Sequence, residues 1–368
     1  MVIVAHLTSA HPRSDTRIFV KQCRQLAQHG FDVNLVVADG LGDSVDAGVR
    51  VHDVGAARGR LGRMLATTRR VYRQARRIDA HIYHLHDPEL IPVGLRLRQL
   101  GKAVIFDAHE DLPTQLLGKP YLRPLTRRLL SRCAASFEQL ACPRFSSIVA
   151  ATPFIRDKFL RLHPRTVDVN NFPLMSEFDA PAAWEGKARE VCYVGNVSAI
   201  RGVRELVAAC GLLASDARLV VAGQFEDPAL RTELQDLPGA PRVSWAGQLD
   251  RAGVQQTMGR AMAGLVTLHP LPNYRDALPV KMFEYMAAGI PVIASDFPRW
   301  RDIIDGHRCG ICVNPFDAAA IGRAIDYIMQ HPEHAREMGA NGRAAVQARY
   351  NWSVESGKLI ALYEGLLS

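Results

Sequence analysis

No window of the 368 residues reaches the roughly 18 to 20 uninterrupted apolar positions that a membrane-spanning helix needs. The opening Met1-Val-Ile-Val-Ala-His6 lacks both the charged segment and the apolar core of a secretion signal. A cytosolic chain is the expectation. Cysteine is sparse: seven residues, an odd number scattered from Cys23 to Cys312, exclude a disulfide framework. Cys309-Gly-Ile-Cys312 has redox or zinc spacing, but no second such pair accompanies it and it runs into Val313-Asn-Pro, which reads as a strand ending in a turn, so a structural role is expected. There is no internal repeat and no low-complexity tract. Acidic residues are short in one half only. Through residue 180 there are 26 Lys and Arg against 17 Asp and Glu, and after it 19 against 20, so nearly all the positive excess belongs to the N-terminal half. That asymmetry points to an acidic partner of that half: nucleic acid, an anionic membrane or a phosphorylated substrate.

A chain of this length suits two domains of about 150 to 200 residues. Met1 to Leu7 reads as a buried strand. Ser9 to Ile18 reads as the loop after it, a helix follows to Gln28 with a stop at Gly30, and Phe31 to Ala38 is the next strand. This is a βαβ unit, whose ligands bind beyond the carboxyl ends of the strands, where Asp15 and Arg17 lie. Further strands end at Ile82-Tyr-His84-Leu-His86-Asp87 and at Ala103-Val-Ile-Phe-Asp107, the latter delivering His109, Glu110 and Asp111. His84 and His86 alternate along a strand without the further spaced ligands that metallohydrolases use, so no metal is expected. Strands at Ser147 to Thr152 and Thr166 to Val169 close a first domain, 1–175, and residues 176–189 read as a linker. Strand–helix alternation then resumes from Glu190 to Val194, through Leu219 to Ala222, Val243 to Ala246 and Gly264 to Thr267, giving a second domain over 190–348 and a last helix over 349–368 that returns toward the first. The fold class is α/β: two doubly wound parallel sheets facing across a cleft.

Two stretches account for much of the basic excess. Arg58, Arg60, Arg63, Arg69, Arg70, Arg73, Arg76 and Arg77 are interleaved with Leu61, Met64, Leu65, Val71 and Tyr72, which leaves one face able to pack; Arg123 to Arg132 forms the second stretch. Each Lys or Arg near an anionic leaflet is worth about 1 kcal/mol, and neither stretch carries the aromatic interleaving or a known reader motif for nucleic acid. A membrane surface is the expected partner, and nucleic acid is not.

The most informative segment is Asp276 to Ser295. Pro279 suits the first turn of a helix, and Gly289 with Pro291 is the matching stop, so a helix is predicted over Val280 to Ala288. Lys281 and Glu284 share a face, and Asp276 lies just ahead of the free N–H groups of the first turn. A helix N-terminus with a nearby Lys attracts an anion, and a carboxylate one turn in can chelate the vicinal hydroxyls of a ribose. These groups suit a sugar nucleotide.

Asp276 and Glu284, eight apart, with the tail Glu284-Tyr-Met-Ala-Ala-Gly-Ile-Pro-Val-Ile-Ala-Ser295, resemble the E-x7-E signature of retaining GT-B glycosyltransferases of family 4, with Asp in place of the first Glu. His11-Pro-Arg-Ser-Asp15-Thr-Arg17, His84-Leu-His-Asp87-Pro-Glu89 and Asp107-Ala-His109-Glu110-Asp111 resemble the bacterial polysaccharide branch of that family, and Asp317 and Tyr350-Asn-Trp352 lie in segments similar to its closing elements. The resemblance implies two Rossmann-like domains, a nucleotide-diphosphate sugar as donor (UDP- or GDP-linked), retention of anomeric configuration, no cofactor and no metal. It implies that His109 and Asp276 serve the donor sugar, that the N–H groups after Asp276, as at Leu278, assist, that Glu284 binds the ribose and that the main chain at Leu249 contacts the base. Many members carry an Arg directly after the first Gly of the phosphate loop and a Lys before the second. Here those positions are Asn196 and Arg201, and Lys281 is expected to replace the missing cation. Asp15, Arg17, Asp87, Glu89, Glu110 and Asp111 are the acceptor-side candidates. The partners implied are a nucleotide sugar and a glycan or lipid-linked acceptor at the inner leaflet. Two other readings share the fold: a sugar-nucleotide 2-epimerase, which needs no acceptor, and a binding subunit without turnover.

Overall fold

The computed structural model describes residues 1–56, 59–118, 123–178 and 183–367. The chain divides into two compact units, Met1–Asn171 with the C-terminal residues from Ser353, and Phe172–Trp352. The boundary precedes the 176–189 segment read as a linker. Phe172 and Phe178 are buried in the core of the second unit, with Trp184 packed against it, because their apolar surface is worth more inside than along a solvated connection. Residues 179–182 of that segment lie outside the described residues.

The first unit holds eight strands: β1 Ile3–Leu7, β2 Asp32–Val37, β3 Ser44–Asp46, β4 Val49–Asp53, β5 Ile82–Leu85, β6 Ala103–Ala108, β7 Ser147–Ala150 and β8 Thr166–Asp168. Their order is β3-β4-β2-β1-β5-β6-β7-β8, parallel throughout except for the β3–β4 hairpin. The central strands β2, β1, β5 and β6 are rich in apolar residues buried on both faces, as a parallel sheet covered by helices requires, and each also buries a polar residue: Asn34, His6, His84 and Asp107. Strand order reverses between β1 and β5, so the loops after these two strands flank a topological switch point. The helical segment expected only after residue 18 starts earlier, at Thr16–Cys23, continuing as Arg24–Gln28. Asp15 is its cap: one carboxylate oxygen takes the N–H groups of Arg17 and Ile18, each at 2.9 Å.

The arginine-rich segment forms helical turns from Gly59 to Ile78 in which Thr67, Thr68, Val71 and Ala75 are the buried residues. Met64 and Leu65, expected on the packed face, are exposed instead. Arg58 lies outside the described residues, as do the side chains of Arg60 and Leu61. The C-terminal helix, Trp352–Glu364, brings Glu355 onto the Asn170 N–H at 2.7 Å and buries Tyr363 in the first unit.

The second unit holds β9 Glu190–Val194, β10 Arg218–Ala222, β11 Val243–Gly247, β12 Ala263–Val266, β13 Val292–Ser295 and β14 Gly310–Val313, all parallel, in the order β11-β10-β9-β12-β13-β14. This is the doubly wound order with its reversal between β9 and β12. The helix Val280–Ala287 lies against β12 and β13, and Pro279, expected in its first turn, is instead its cap residue, with ψ of 125°. Met282, Phe283, Tyr285 and Met286 are fully buried, each worth about 1.5 to 3 kcal/mol. Glu284 is buried with them, so this is not an amphipathic surface helix. The Tyr285 hydroxyl accepts the Val194 N–H at 2.9 Å and so pins the helix to the end of β9.

Candidate functional site

In the second unit the groups of interest collect beyond the ends of β9 and β12. Gly195 turns the chain at φ +132°, and a side-chain carbon added there would sit 2.9 Å from Lys281 Nζ and 3.8 Å from Arg201 Nη1. Two cations therefore converge on one bare stretch of backbone. Gly202, at φ +75°, ends the loop pressed against the Thr267 carbonyl. Lys281 reaches this point from the first turn of the helix Val280–Ala287, its Nζ 4.0 Å from the centre of the Tyr193 ring. Burial, with the charge of Arg201 beside it, draws the Lys281 ammonium down to about 7, against the opposing pull of Glu284.

Among the described residues, the buried donors Ser198 Oγ, Arg201 Nε, Thr267 Oγ1 and Lys281 Nζ have no hydrogen-bond partner in the protein. Each such group costs about 1 to 3 kcal/mol when left unmade. Four of them around one glycine loop at a switch point form a cradle that an oxygen-rich anion completes. Glu284 accepts from Arg251 Nη1 at 2.8 Å, and the same guanidinium also pairs with Glu177. Arg251 escaped the sequence reading because it lies outside the signature, and only the packing of its helix brings it to Glu284. Asp276 ends the short helix Pro272–Arg275, and Trp300 Nε1 donates to the Ala277 carbonyl at 2.8 Å, fixing the loop that carries Leu278. Leu249 packs on the core, while Asn196 is exposed and reaches Glu226 at 3.3 Å.

In the first unit the loops after β1, β5 and β6 build a second cluster around Asp107. Its carboxylate takes Arg17 Nη2 at 2.8 Å and Gln22 Nε2 at 2.8 Å. Burial would raise its pKa, but Arg17 and the surrounding histidines hold it well below the usual carboxylate range. His84, His86 and His109 approach the same Oδ2 at 3.6, 3.4 and 3.3 Å. His109 is 19% exposed; His84 and His86 are buried. The nitrogens of His6, His84 and His86, and those of His86 and His109 with the Asp107 oxygen, are close enough to share a cation. The Asp107 oxygen, however, already accepts a hydrogen bond from Gln22, and the Arg17 guanidinium on the same carboxylate opposes a second positive charge, so His86, His109 and Asp107 fit a hydrogen-bonded cluster better than a metal centre.

The acceptor-side candidates divide. Arg17, 6% exposed and bonded to Asp107 and the Val169 carbonyl at 2.7 Å, is part of the scaffold and does not line an open surface. Asp87, expected to line the acceptor side, is likewise buried: it takes Thr8 Oγ1 at 2.8 Å and the Ser9 N–H at 2.6 Å, holding the first loop closed. Asp15 caps its helix and bonds His11 Nδ1 at 3.1 Å, which with burial opposed brings Asp15 to about 2 and raises His11. Glu89 pairs with Arg63 at 2.7 Å and Asp111 with Lys158 at 2.6 Å. Glu110 is exposed. His6 and His11 were missed as participants. The in-register pairing of His6 with His84 on adjacent strands is the signal that would have found the first of them.

Comparison with known proteins bears on both units. Residues 16–174 match the model of the glycosyl transferase 4-like domain, and residues 175–345 that of glycosyl transferases group 1. The chain is 26% identical over 312 residues to a phosphatidyl-myo-inositol mannosyltransferase of Mycobacterium tuberculosis, covering 81% of this chain and 77% of that protein. It is 26% identical over 305 residues to D-rhamnosyltransferase WbpZ of Pseudomonas aeruginosa, covering 78% and 75%. Its fold is similar to that of sucrose-phosphate synthase from Thermosynechococcus elongatus, with a TM-score of 0.78 at 20% identity over 100% of this chain and 99% of that one. HepE of Anabaena, solved in complex with UDP, gives 0.72 at 12% identity over 99% and 100%, a likeness of fold alone. With both matched domains in sequence and two Rossmann-like parallel sheets carrying them, the chain belongs to the GT-B glycosyltransferases that join a 4-like N-terminal domain to a group 1 C-terminal domain.

Proposed function

We propose that this glycosyltransferase moves a sugar from a nucleotide-diphosphate donor to a hydroxyl of a glycan or lipid-linked acceptor, with retention of anomeric configuration and without a metal ion. The observation that carries the reading is the pair of cations, Lys281 with its Nζ unpartnered and Arg201 with its Nε unpartnered, against the bare backbone of Gly195. When the bond from the anomeric carbon to the diphosphate breaks, negative charge grows on the departing oxygens. Fixed donors aimed there lower the barrier by several kcal/mol because they need no reorganisation. Glu284, held by Arg251, takes the ribose; Leu249 offers main chain to the base; Asp276 and the N–H at Leu278 serve the donor sugar. His109 takes a sugar hydroxyl, and the acceptor hydroxyl enters on the face from which the diphosphate leaves. Glu110, Asp111, Glu89 and Asp15 are nearer to solvent than Arg17 or Asp87 and are the acceptor-side groups that remain. Surface-polysaccharide or lipopolysaccharide assembly is the setting, in keeping with the rhamnosyl- and mannosyltransferase relatives.

No helix among the described residues is long and apolar enough to cross a membrane. Peripheral attachment at the inner leaflet is supported by the helix Pro124–Ala141, of whose 18 residues only Glu138 and Ala141 are buried. Leu125, Leu129 and Leu140 are 79, 64 and 63% exposed beside Arg127, Arg128 and Arg132, an apolar stripe rimmed by cations.

The test is a donor screen with purified protein and a lipid-linked glycan acceptor, reading nucleoside diphosphate released from UDP-, GDP- and dTDP-sugars. Release that requires the acceptor supports transfer. Turnover of donor alone into an isomeric nucleotide sugar would establish the 2-epimerase, and binding without any turnover the non-catalytic subunit. Sedimentation with vesicles of anionic lipid, lost at high salt or in neutral vesicles, tests the leaflet contact.

A further inference from the structure

Lys281 and Arg201 repel one another across Gly195, since the charge of Arg201 is one of the causes that draw the Lys281 ammonium down. Neither Lys281 Nζ nor Arg201 Nε has a hydrogen-bond partner among the described residues. Both side chains must nevertheless be kept in place before an anion arrives. Tyr193 is the residue that meets both. It is fully buried on β9, two positions ahead of Gly195. Its ring centre lies 4.0 Å from Lys281 Nζ, within the range in which a ring face attracts a cation. Its hydroxyl donates to the Asn196 carbonyl at 2.6 Å, and the Arg201 guanidinium hydrogen-bonds the same phenol oxygen.

A carboxylate in the place of this ring would also hold the two cations, by charge. It would neutralise them and compete with the diphosphate for the same N–H groups. The face of an aromatic ring attracts an ammonium through its quadrupole and presents no oxygen lone pair, so the N–H groups of Lys281 stay open to phosphate oxygens. The hydroxyl completes the arrangement. By closing the Asn196 carbonyl onto β9 it fixes the turn at Gly195, and by accepting from Arg201 it anchors the guanidinium beside that turn. The other titratable neighbours of Lys281 are Glu284 on its own helix and Cys192 on β9. Burial pushes the Cys192 thiol up to about 12, so it stays neutral, and Glu284 is engaged with Arg251.

We propose that Tyr193 is the positioning residue of the diphosphate cradle, its ring face holding Lys281 and its hydroxyl holding both Arg201 and the Gly195 turn. Both cations then stand aimed at the bare backbone before the nucleotide sugar binds, and the leaving oxygens meet donors that need no rearrangement. The consequence for turnover rests on the proposed glycosyl transfer, whereas the hold on Lys281 does not.

The experiment replaces Tyr193 in the full-length protein with phenylalanine and, by nonsense suppression, with trifluorophenylalanine. The fluorinated ring keeps nearly the shape of phenylalanine and loses the negative face, so packing is held constant while the attraction is removed. Carbon NMR of the lysine side chains follows the titration of Lys281 without donor, its signal assigned by Lys281→Met. In the unmodified protein the midpoint is expected at about 7. Tyr193→Phe should leave it within about half a pH unit, and the fluorinated ring should bring it about one pH unit below the Tyr193→Phe value, as loss of a desolvated cation–π contact requires. A ring that merely fills space gives the same midpoint in both. With donor and acceptor supplied, Tyr193→Phe should lower kcat by about tenfold with the donor KM within about threefold, because the guanidinium it releases acts on the departing oxygens. Equal midpoints in the two variants would overturn the role of the ring, and an unchanged kcat in Tyr193→Phe would overturn that of the hydroxyl. The expected midpoints without any glycosyl transfer would support the hold on Lys281 and count against the proposed function alone.

Discussion

Lys281 offers the sharpest perturbation, because on the proposed placement its charge depends on whether a diphosphate is present. Unliganded, its ammonium titrates at about 7. An intact nucleotide sugar has no ionising phosphate between pH 6 and 9, so any proton taken up on binding belongs to the protein. If the bound diphosphate restores Lys281 toward an ordinary lysine value, the affinity falls about tenfold for each pH unit above 7, that is about 1.4 kcal/mol per unit. At pH 8 about nine in ten unliganded molecules hold Lys281 neutral, and binding takes up about 0.9 proton. The stability of the unliganded protein moves the other way. Its folded pKa lies below the unfolded 10.5, so the unfolded chain binds more protons between pH 7 and 10.5 and stability rises across that window. Titration calorimetry with a nucleotide sugar in two buffers of different ionisation enthalpy counts the protons, and urea unfolding without ligand gives the stability trend. Lys281→Met should abolish the proton uptake, flatten the pH dependence of Kd and stabilise the unliganded protein at neutral pH. A proton count of zero at pH 8, with Kd constant from pH 6 to 9, would refute the placement of the diphosphate on Lys281.

Arg201→Ala should lower kcat by at least a hundredfold in the donor-release assay, since one preorganised donor at a developing charge is worth about 3 kcal/mol; near-normal turnover removes Arg201 from the clamp. Arg251→Ala frees Glu284 from its partner and should raise the donor KM about tenfold with kcat within about twofold, and a change in kcat alone would place Arg251 elsewhere. Gly202→Ala forces a side-chain carbon to 2.0 Å from the Thr267 carbonyl at φ +75° and should destabilise the fold by about 2 kcal/mol or more in urea unfolding; an unchanged midpoint would mean that the loop adapts.

The two parallel sheets were legible because each strand is a short apolar run ending in Gly or a polar turn, as at Glu190–Val194 with Gly195, and because the segment Asp276 to Ser295 carries cap, helix and stop between Pro279 and Gly289. Burial of particular charges was not. Arg17 and Asp87 look like free polar residues in loops, and only long-range packing, across 90 residues between Arg17 and Asp107 and 78 between Ser9 and Asp87, turns them into scaffold. Phe172 and Phe178 stand among Asn, Pro, Ser and Glu, a composition typical of a connection, yet fill a core that lies mostly beyond residue 250, which local composition does not record. Sequence spacing also hid the histidine cluster. His6, His84 and His109 come from three strands or their ends, and Tyr363 from a helix more than 250 residues away from His109. Their meeting follows from the strand order β1-β5-β6 and from the docking of the C-terminal helix, neither of which local periodicity records.

A crystal structure of the protein with an intact nucleotide sugar, grown in excess chelator, tests the central claim most directly. The account predicts the diphosphate against Gly195, with its oxygens within hydrogen-bond distance of Lys281 Nζ and the Arg201 guanidinium and the ribose on Glu284. A nucleotide lodged away from the Gly195–Gly202 turn, or one that binds only when a divalent ion is restored, would contradict it.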